Sequence, residues 1–290
     1  MTGIRSIART ALGQWSRIGA DKGIKQLRSE GGPDGERLAA VLERALHPDS
    51  GPSTDWFNRI EALRTELSAD ETTLSITDFG AGSTGDNRSQ AEMEEGVQIE
   101  RTVQQACNAS KAPFWASILH HLILEFRPTT GIELGTCLGL SAAYQASAME
   151  INGEGQLLTL EGADSLADIS TKHLRGLGLG DRAKVVPGRF ADTLDAAISE
   201  LGAIEYAFID GHHDEHATIA YFEQLLPHLA DRAVLVFDDT SWTEGMIRAW
   251  KKIQSHDAVR LTLDLGAVGI CVLDASIENR TSVEISLKGL

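Results

Sequence analysis

The chain has 290 residues, 42% of them hydrophobic, enough for a large core, with one main domain plus an extension as the natural prior. Its formal net charge of -16 argues against nucleic acid as a partner, because phosphates want a basic surface, and no apolar run nears the roughly 20 residues that cross a bilayer. The three cysteines, Cys107, Cys137 and Cys271, show no pair spacing, which suits a reducing compartment such as the cytoplasm.

The charge is uneven along the chain. Residues 1–30 carry six basic residues (Arg5, Arg9, Arg17, Lys22, Lys25, Arg28) against Asp21 and Glu30, and Ile4, Ile7, Ala11, Trp15 and Ile18 recur near helical period. The segment reads as a basic amphipathic helix docked on its own acidic domain or on a second subunit. A membrane-surface anchor and a targeting presequence are the alternatives; a secretory signal is not expected, since no continuous apolar stretch follows the charges. Gly31-Gly32-Pro33-Asp34-Gly35 then separates this arm from a helix around Glu36–Leu46. The turn cluster His47–Thr54 offers Ser53 or Thr54 as N-cap for a helix to about Leu67. Thr73–Ser83 reads as a short strand running into a glycine-rich loop, and the polar segment Thr84–Glu95 is expected to be mobile or ordered only by ligand.

From Val97 the pattern becomes regular. Helices are predicted near Val97–Cys107 and Pro113–Phe126, the latter with Phe114, Ile118, Leu122 and Phe126 on one face and with His120 and His121 at the surface or in a cap. Strands follow at Gly131–Leu134, Gln156–Glu161, Ala183–Val186, Ile204–Asp210, Ala233–Asp238, Arg260–Leu265 and Val268–Val272. Helices near Leu140–Ile151, Ser165–Leu177, Ala191–Leu201, Asp214–Leu229 and Thr243–Ser255 separate them. The run Ala233-Val-Leu-Val-Phe237 is that of a strand covered on both faces, and the short Gly266-Ala267 turn makes the last two strands an antiparallel hairpin. Five βα units and a hairpin predict an α/β, Rossmann-like fold with a seven-stranded, mostly parallel sheet over residues 96–290. A helical extension and possible lid would occupy residues 1–95.

Chemistry concentrates at the strand ends. An apolar strand runs into Glu133, a loop carries Gly135 and Gly139, and Ser141 opens a helix; a second strand ends on Glu161. Glycines at such a turn admit a ligand close to the backbone, and the helix N-terminus offers free N–H groups to a carboxylate or phosphate. An acid ending the next strand is placed for the two ribose hydroxyls of an adenosine. Gly135 and Gly139 are four apart, so this turn does not carry the dinucleotide pattern G-x-G-x-x-G, which weakens a nicotinamide-dependent oxidoreductase. Asp210 and Asp238, the latter followed by Asp239, end two further strands, and buried carboxylates there need partners. His212, His213 and His216 follow Asp210; a histidine can take a proton at neutral pH. A zinc site through His212 and His216 lacks an evident third ligand.

Gly131–Ser141 with Glu161 resembles motif I of the class I S-adenosylmethionine (SAM) methyltransferases. Tyr206-Ala-Phe-Ile-Asp-Gly-His-His-Asp-Glu-His216 resembles the Asp-Gly-x-His signature of small-molecule O-methyltransferases, and Ala233–Trp242 resembles their fifth strand. The resemblance spans about residues 96–274. It implies that Gly135, Cys137 and Gly139 surround the methionine moiety of SAM, Ser141 bonds its carboxylate and Glu161 its ribose. Glu133 and Asp210 join the cofactor set, with Gly188, Arg189 and Phe190 beside the adenine. In the metal-dependent branch, which includes catechol, caffeoyl-CoA and some sugar O-methyltransferases, matching positions bind Mg2+ or another divalent cation; here they are Asp210, Asp238 and Asp239, although catechol-type enzymes carry Asn where this chain has Asp239. His213, ahead of His212, is then the base that deprotonates a hydroxyl on a small-molecule acceptor. The alternatives are a metal-independent small-molecule N-methyltransferase and a SAM-binding protein without catalysis. Asp78–Ser83 resembles a segment that precedes motif I in some bacterial methyltransferases and would form a lid. The N-terminal helices are expected to cover the acceptor side, to support a homodimer, and to be dispensable for folding of the SAM domain.

Overall fold

The computed structural model describes residues 19–48, 50–82 and 88–287. Its apolar runs become the strands β3 (Thr130–Leu134), β4 (Gln156–Glu161), β5 (Ala183–Pro187), β6 (Ile204–Ile209), β7 (Leu229–Asp238), β8 (Leu261–Asp264), β9 (Val268–Asp274) and β10 (Thr281–Glu284) of one sheet. Their order is β10-β8-β9-β7-β6-β3-β4-β5. The five strands from β7 to β5 run parallel, and β9 lies antiparallel between β7 and β8. Ala233–Phe237 of β7 is buried throughout, as a central strand covered on both faces requires. Because β3 to β7 run parallel, their carboxyl ends share one edge of the sheet.

Helices cover both faces. On one side α9 (Phe190–Leu201), α10 (Glu215–Leu225) and α11 (Glu244–Gln254) bury Leu194, Ile198, Phe222, Trp250 and Ile253 against the sheet. On the other lie α6 (Pro113–Phe126), α7 (Leu140–Asn152) and α8 (Asp164–Gly176), with Leu119, Leu122, Tyr144 and Leu174 in the core. That second core also takes in Leu38, Ala39, Val41 and Leu42 from α2 (Gly32–Leu46) and Ile60 from α3 (Pro52–Leu67), all fully buried. The N-terminal helices are therefore a structural layer on α6 and α7, which corrects their expected place over the acceptor side. α1, helical over residues 19–30, comes so close to the segment after β10 that a side chain at Gly23 would overlap Ile285. The apolar series Ile4 to Ile18 lies outside the described residues.

Several expectations are revised. The segment Val97–Cys107 is not one helix: β2 (Val97–Thr102) pairs antiparallel with β1 (Thr73–Asp78) from Thr73↔Thr102 to Asp78↔Val97, and α5 (Val103–Ala109) begins after Thr102. Thr102 and Gln105 close a capping box there, which sets the switch. This hairpin bridges the division expected at residue 95. The sheet has an eighth strand, since β10 adds parallel to β8. α3 starts at Pro52 after Gly51 and not on a Ser53 or Thr54 cap. Of the polar segment Thr84–Glu95, residues 84–87 lie outside the described residues, while α4 (Gln90–Glu95) is capped by Ser89 and Glu92. His120 and His121 are buried rather than superficial. His120 meets the Tyr144 carbonyl, Ser147 Oγ and Ser53 Oγ, each at 2.9 Å. Burial pushes its imidazole down to about 3, so it is a neutral tie between α3, α6 and α7.

Candidate active site

The carboxyl ends of β3, β4, β6 and β7 open into a cleft of about 390 Å³, within the roughly 300–1,000 Å³ range of small-molecule sites. After β3 the chain turns at Gly135, with φ +105°, where any Cβ would overlap the Asp210 carbonyl oxygen; no other residue fits that crossing of two strand ends. The Cys137 amide then donates to Glu161 Oε2 at 2.7 Å, and the Ala163 amide to Oε1 at 2.9 Å. Glu161 is 9% exposed and lines the cleft. Burial pushes its carboxyl up to about 7, against the pull of those two amides.

The loop after β1 closes one wall. Phe79 fills the space above Gly96 and Gly162, where added side chains would meet its ring. The Ala81 amide donates to the His212 carbonyl at 3.1 Å, and Arg88 joins Asp78 (3.0 Å) to the Gly80 carbonyl (2.9 Å). Residues 78–82 of the segment singled out as a lid thus line the cleft and are tied to the loop after β6.

The opposite wall carries the acids. Lys111, on the link between α5 and α6, forms a close ion pair with Asp238 Oδ2; the lysine is 12% and the aspartate 4% exposed. The Asp210 carboxyl lies within hydrogen-bonding reach of Asp238. Burial alone would lower the Lys111 ammonium, but the charges of Asp210 and Asp238 outweigh it and hold it above its ordinary range. Asp238 is held low by Lys111 in spite of its burial, while burial and the Asp238 charge push Asp210 well above the carboxylate range. Asp239 is raised in the same sense, by burial first. Between them stands the His213 ring, Nε2 at 3.6 Å from Asp210 Oδ1 and Nδ1 at 3.7 Å from Asp239 Oδ2, with Trp242 edge-on at 5.7 Å between ring centres.

Four of the five non-glycine residues with positive φ among the described residues line this cleft: Cys137, His212, His213 and Asp239. Left-handed backbone costs such residues roughly 1–2 kcal/mol each, and strain of this kind collects at functional sites. His212 points its Nδ1 to the Tyr221 hydroxyl at 2.6 Å and packs against Phe190. That anchors the loop and leaves His213 as the imidazole among the acids.

Most residues chosen from the sequence meet here. Gly135, Cys137, Ser141, Glu161, Arg189, Phe190, Asp210, His212, His213 and Asp239 line the cleft. Four others lie behind its surface. Glu133 is fully buried, with Gln145 Nε2 at 2.6 Å and Thr159 Oγ1 at 2.5 Å donating to its carboxylate, and burial pushes it up to about 7. Gly139 opens α7 against Ser170, Gly188 abuts Thr193, and Asp238 faces Lys111. The expected Mg2+ cage is not assembled: among the described residues no three His, Cys, Asp or Glu side chains are disposed to hold a metal ion. Lys111 instead occupies the carboxylate that would anchor it, and His213 separates the other two. Lys111 and Arg101 line the cleft but were not singled out in the sequence. Their signal is weak, since a lone Lys before Pro113 and an Arg in a polar strand match no spacing rule.

Comparison with known proteins agrees with this architecture. Residues 132–240 match the family model for a methyltransferase domain. The chain is 29% identical over 134 residues to the catechol O-methyltransferase of Mycobacterium tuberculosis, a match covering 46% of this chain and 58% of that protein. Among solved structures it is similar to the cofactor-bound Rv0187 from MTB, with TM-score 0.55, 17% identity and coverage of 81% and 95% of the two chains. It is also similar to the O-methyltransferase from Bacillus cereus in complex with SAH, with TM-score 0.50, 19% identity and coverage of 80% and 94%. The strand order and the loop after β3 are thus those of a Rossmann-like α/β fold, and residues 132–240 within it match a methyltransferase domain.

Proposed function

We propose that this protein transfers a methyl group from SAM to a hydroxyl oxygen of a small-molecule acceptor, with His213 taking the hydroxyl proton. One observation carries the reading: Glu161, ending β4, presents to the cleft a carboxylate fixed by the Cys137 and Ala163 amides, where it can accept both hydroxyls of a ribose. The names of the catechol O-methyltransferase and of the Bacillus cereus structure support O-methylation.

When bound, SAM supplies an electrophilic methyl carbon, and the acceptor oxygen takes it as the C–S bond breaks toward sulfur. The residues do the rest. Glu161 and the loop from Gly135 to Ser141 hold the nucleoside and amino-acid ends, and Arg189 and Phe190 close the cleft beside them. His213 accepts the acceptor's proton and becomes an imidazolium flanked by Asp210 and Asp239, with the negative charge of nearby Asp238 to stabilise it as it forms. Phe79 and the loop after β1 exclude water, which favours transfer in a dry site. No step runs through a divalent ion, because the acids do not converge on one.

Calorimetry with SAM, SAH and NADH tests the cofactor, and methyl-ether formation on a panel of hydroxyl and amine acceptors tests the reaction. Binding of NADH but not SAM, or methylation of amines alone, would overturn the reading.

A further inference from the structure

We propose that Lys111 is a built-in cation: its ammonium satisfies the Asp210, Asp238 and Asp239 cluster that would otherwise be open to a divalent ion, so the site works on an acceptor with a single hydroxyl and needs no chelating pair of oxygens. The inference rests on the methyl-transfer reading for its activity arm only; its binding arm stands alone.

The geometry carries it. Asp238, the most buried of the three acids, is in a close ion pair with Lys111 Nζ through Oδ2, and the Asp210 carboxyl lies within hydrogen-bonding reach of it. A buried carboxylate stripped of its cation is strongly destabilising, and among the described residues Lys111 is the cation in salt-bridge contact with it. With Lys111 in place, the His213 ring lies between the other two acids, at 3.6 Å from Asp210 and 3.7 Å from Asp239. Mg2+ demands an octahedron of oxygens at about 2.0–2.1 Å. An ammonium demands only acceptors for three N–H groups. Tethered just ahead of α6, which begins at Pro113, the Lys111 cation is present at unit occupancy whatever the metal supply. It keeps the acid wall neutralised and His213 placed, and is on this reading a positioning residue.

The consequence for substrate follows. A divalent ion favours acceptors whose two neighbouring oxygens complete its coordination; a lysine held by Asp238 imposes no such requirement, and proton removal falls to His213.

The test is metal binding by full-length, metal-stripped protein, followed by Mn2+ electron paramagnetic resonance. Wild type is expected to leave Mn2+ free. Lys111→Met is expected to bind it roughly tenfold or more tightly than wild type, Lys111→Arg to behave as wild type, and Lys111→Met with Asp238→Asn to lose the gain. In the activity arm, wild-type turnover persists in EDTA, Lys111→Met loses about 10²-fold or more, and Lys111→Arg recovers part of that loss. Stoichiometric Mn2+ binding by wild type would overturn the proposal even if Lys111→Met failed to fold. So would a folded Lys111→Met that binds Mn2+ no better than wild type. Absence of methyl transfer from a wild type that leaves Mn2+ free would instead count against the proposed function.

Discussion

Replacing Glu161 by Ala removes the carboxylate proposed to hold the ribose. Two hydrogen bonds to a charged acceptor contribute roughly 1.5–3 kcal/mol each, so their joint loss is about 3–6 kcal/mol, or about two to four powers of ten in Kd. The same side chain also receives the Cys137 and Ala163 amides; both border the cleft, so water can take over in the variant and most of the loss should fall on the ligand. The proton adds a second signature. Burial raises Glu161 to about 7 in the empty protein, whereas the bound form needs the carboxylate. Below about pH 7, binding must therefore expel a proton, and SAM affinity should fall about tenfold for each pH unit lost; above it the affinity should be level. Isothermal calorimetry at pH 6 in two buffers of different ionisation enthalpy reads the released proton directly, with Glu161→Gln as the control that lacks it. Near-wild-type SAM affinity in a folded Glu161→Ala protein, or a proton count unchanged by Glu161→Gln, would refute the reasoning.

Three further outcomes are expected. His213→Ala should lower the turnover number about 10²–10⁴-fold at neutral pH with SAM affinity unchanged, measured by stopped assays of methyl-ether formation; equal activity would remove His213 from the reaction. Glu133 is raised to about 7 by complete burial, so the fold favours its protonated form: wild type should lose up to about 3 kcal/mol relative to Glu133→Gln as pH rises from 4.5 to 7, and no more above that. Melting curves of both proteins across that window check the sign, and parallel curves would refute it. Deleting residues 1–70 should unfold the protein rather than trim an accessory arm, because it uncovers the core that α2 and α3 share with α6 and α7; a truncated chain with a cooperative melt near the wild-type temperature would show otherwise.

The sequence alone determined the parts governed by local pattern and by the twofold and 3.6-fold periods. The βα units, the central run Ala233–Phe237, the glycine crossing at Gly135 and the strand-end residues Glu161, Asp210 and His213 were all legible, because each is written in consecutive residues whose spacing reflects backbone sterics and burial. Tertiary structure decided the rest. Val97, Ile99 and Arg101 alternate, yet they sit among polar neighbours, and only pairing with Thr73–Asp78 makes them a strand. β10 exists because β8 leaves an edge to complete. The two histidines of α6 are polar residues whose burial became evident only when Ser53 and Ser147 were brought against His120. Lys111 and Asp238 are far apart in the chain, and a salt bridge between distant residues carries no periodicity. Its partner is chosen by which strand end the fold sets beside it, since Coulomb attraction depends on distance in space and not along the chain.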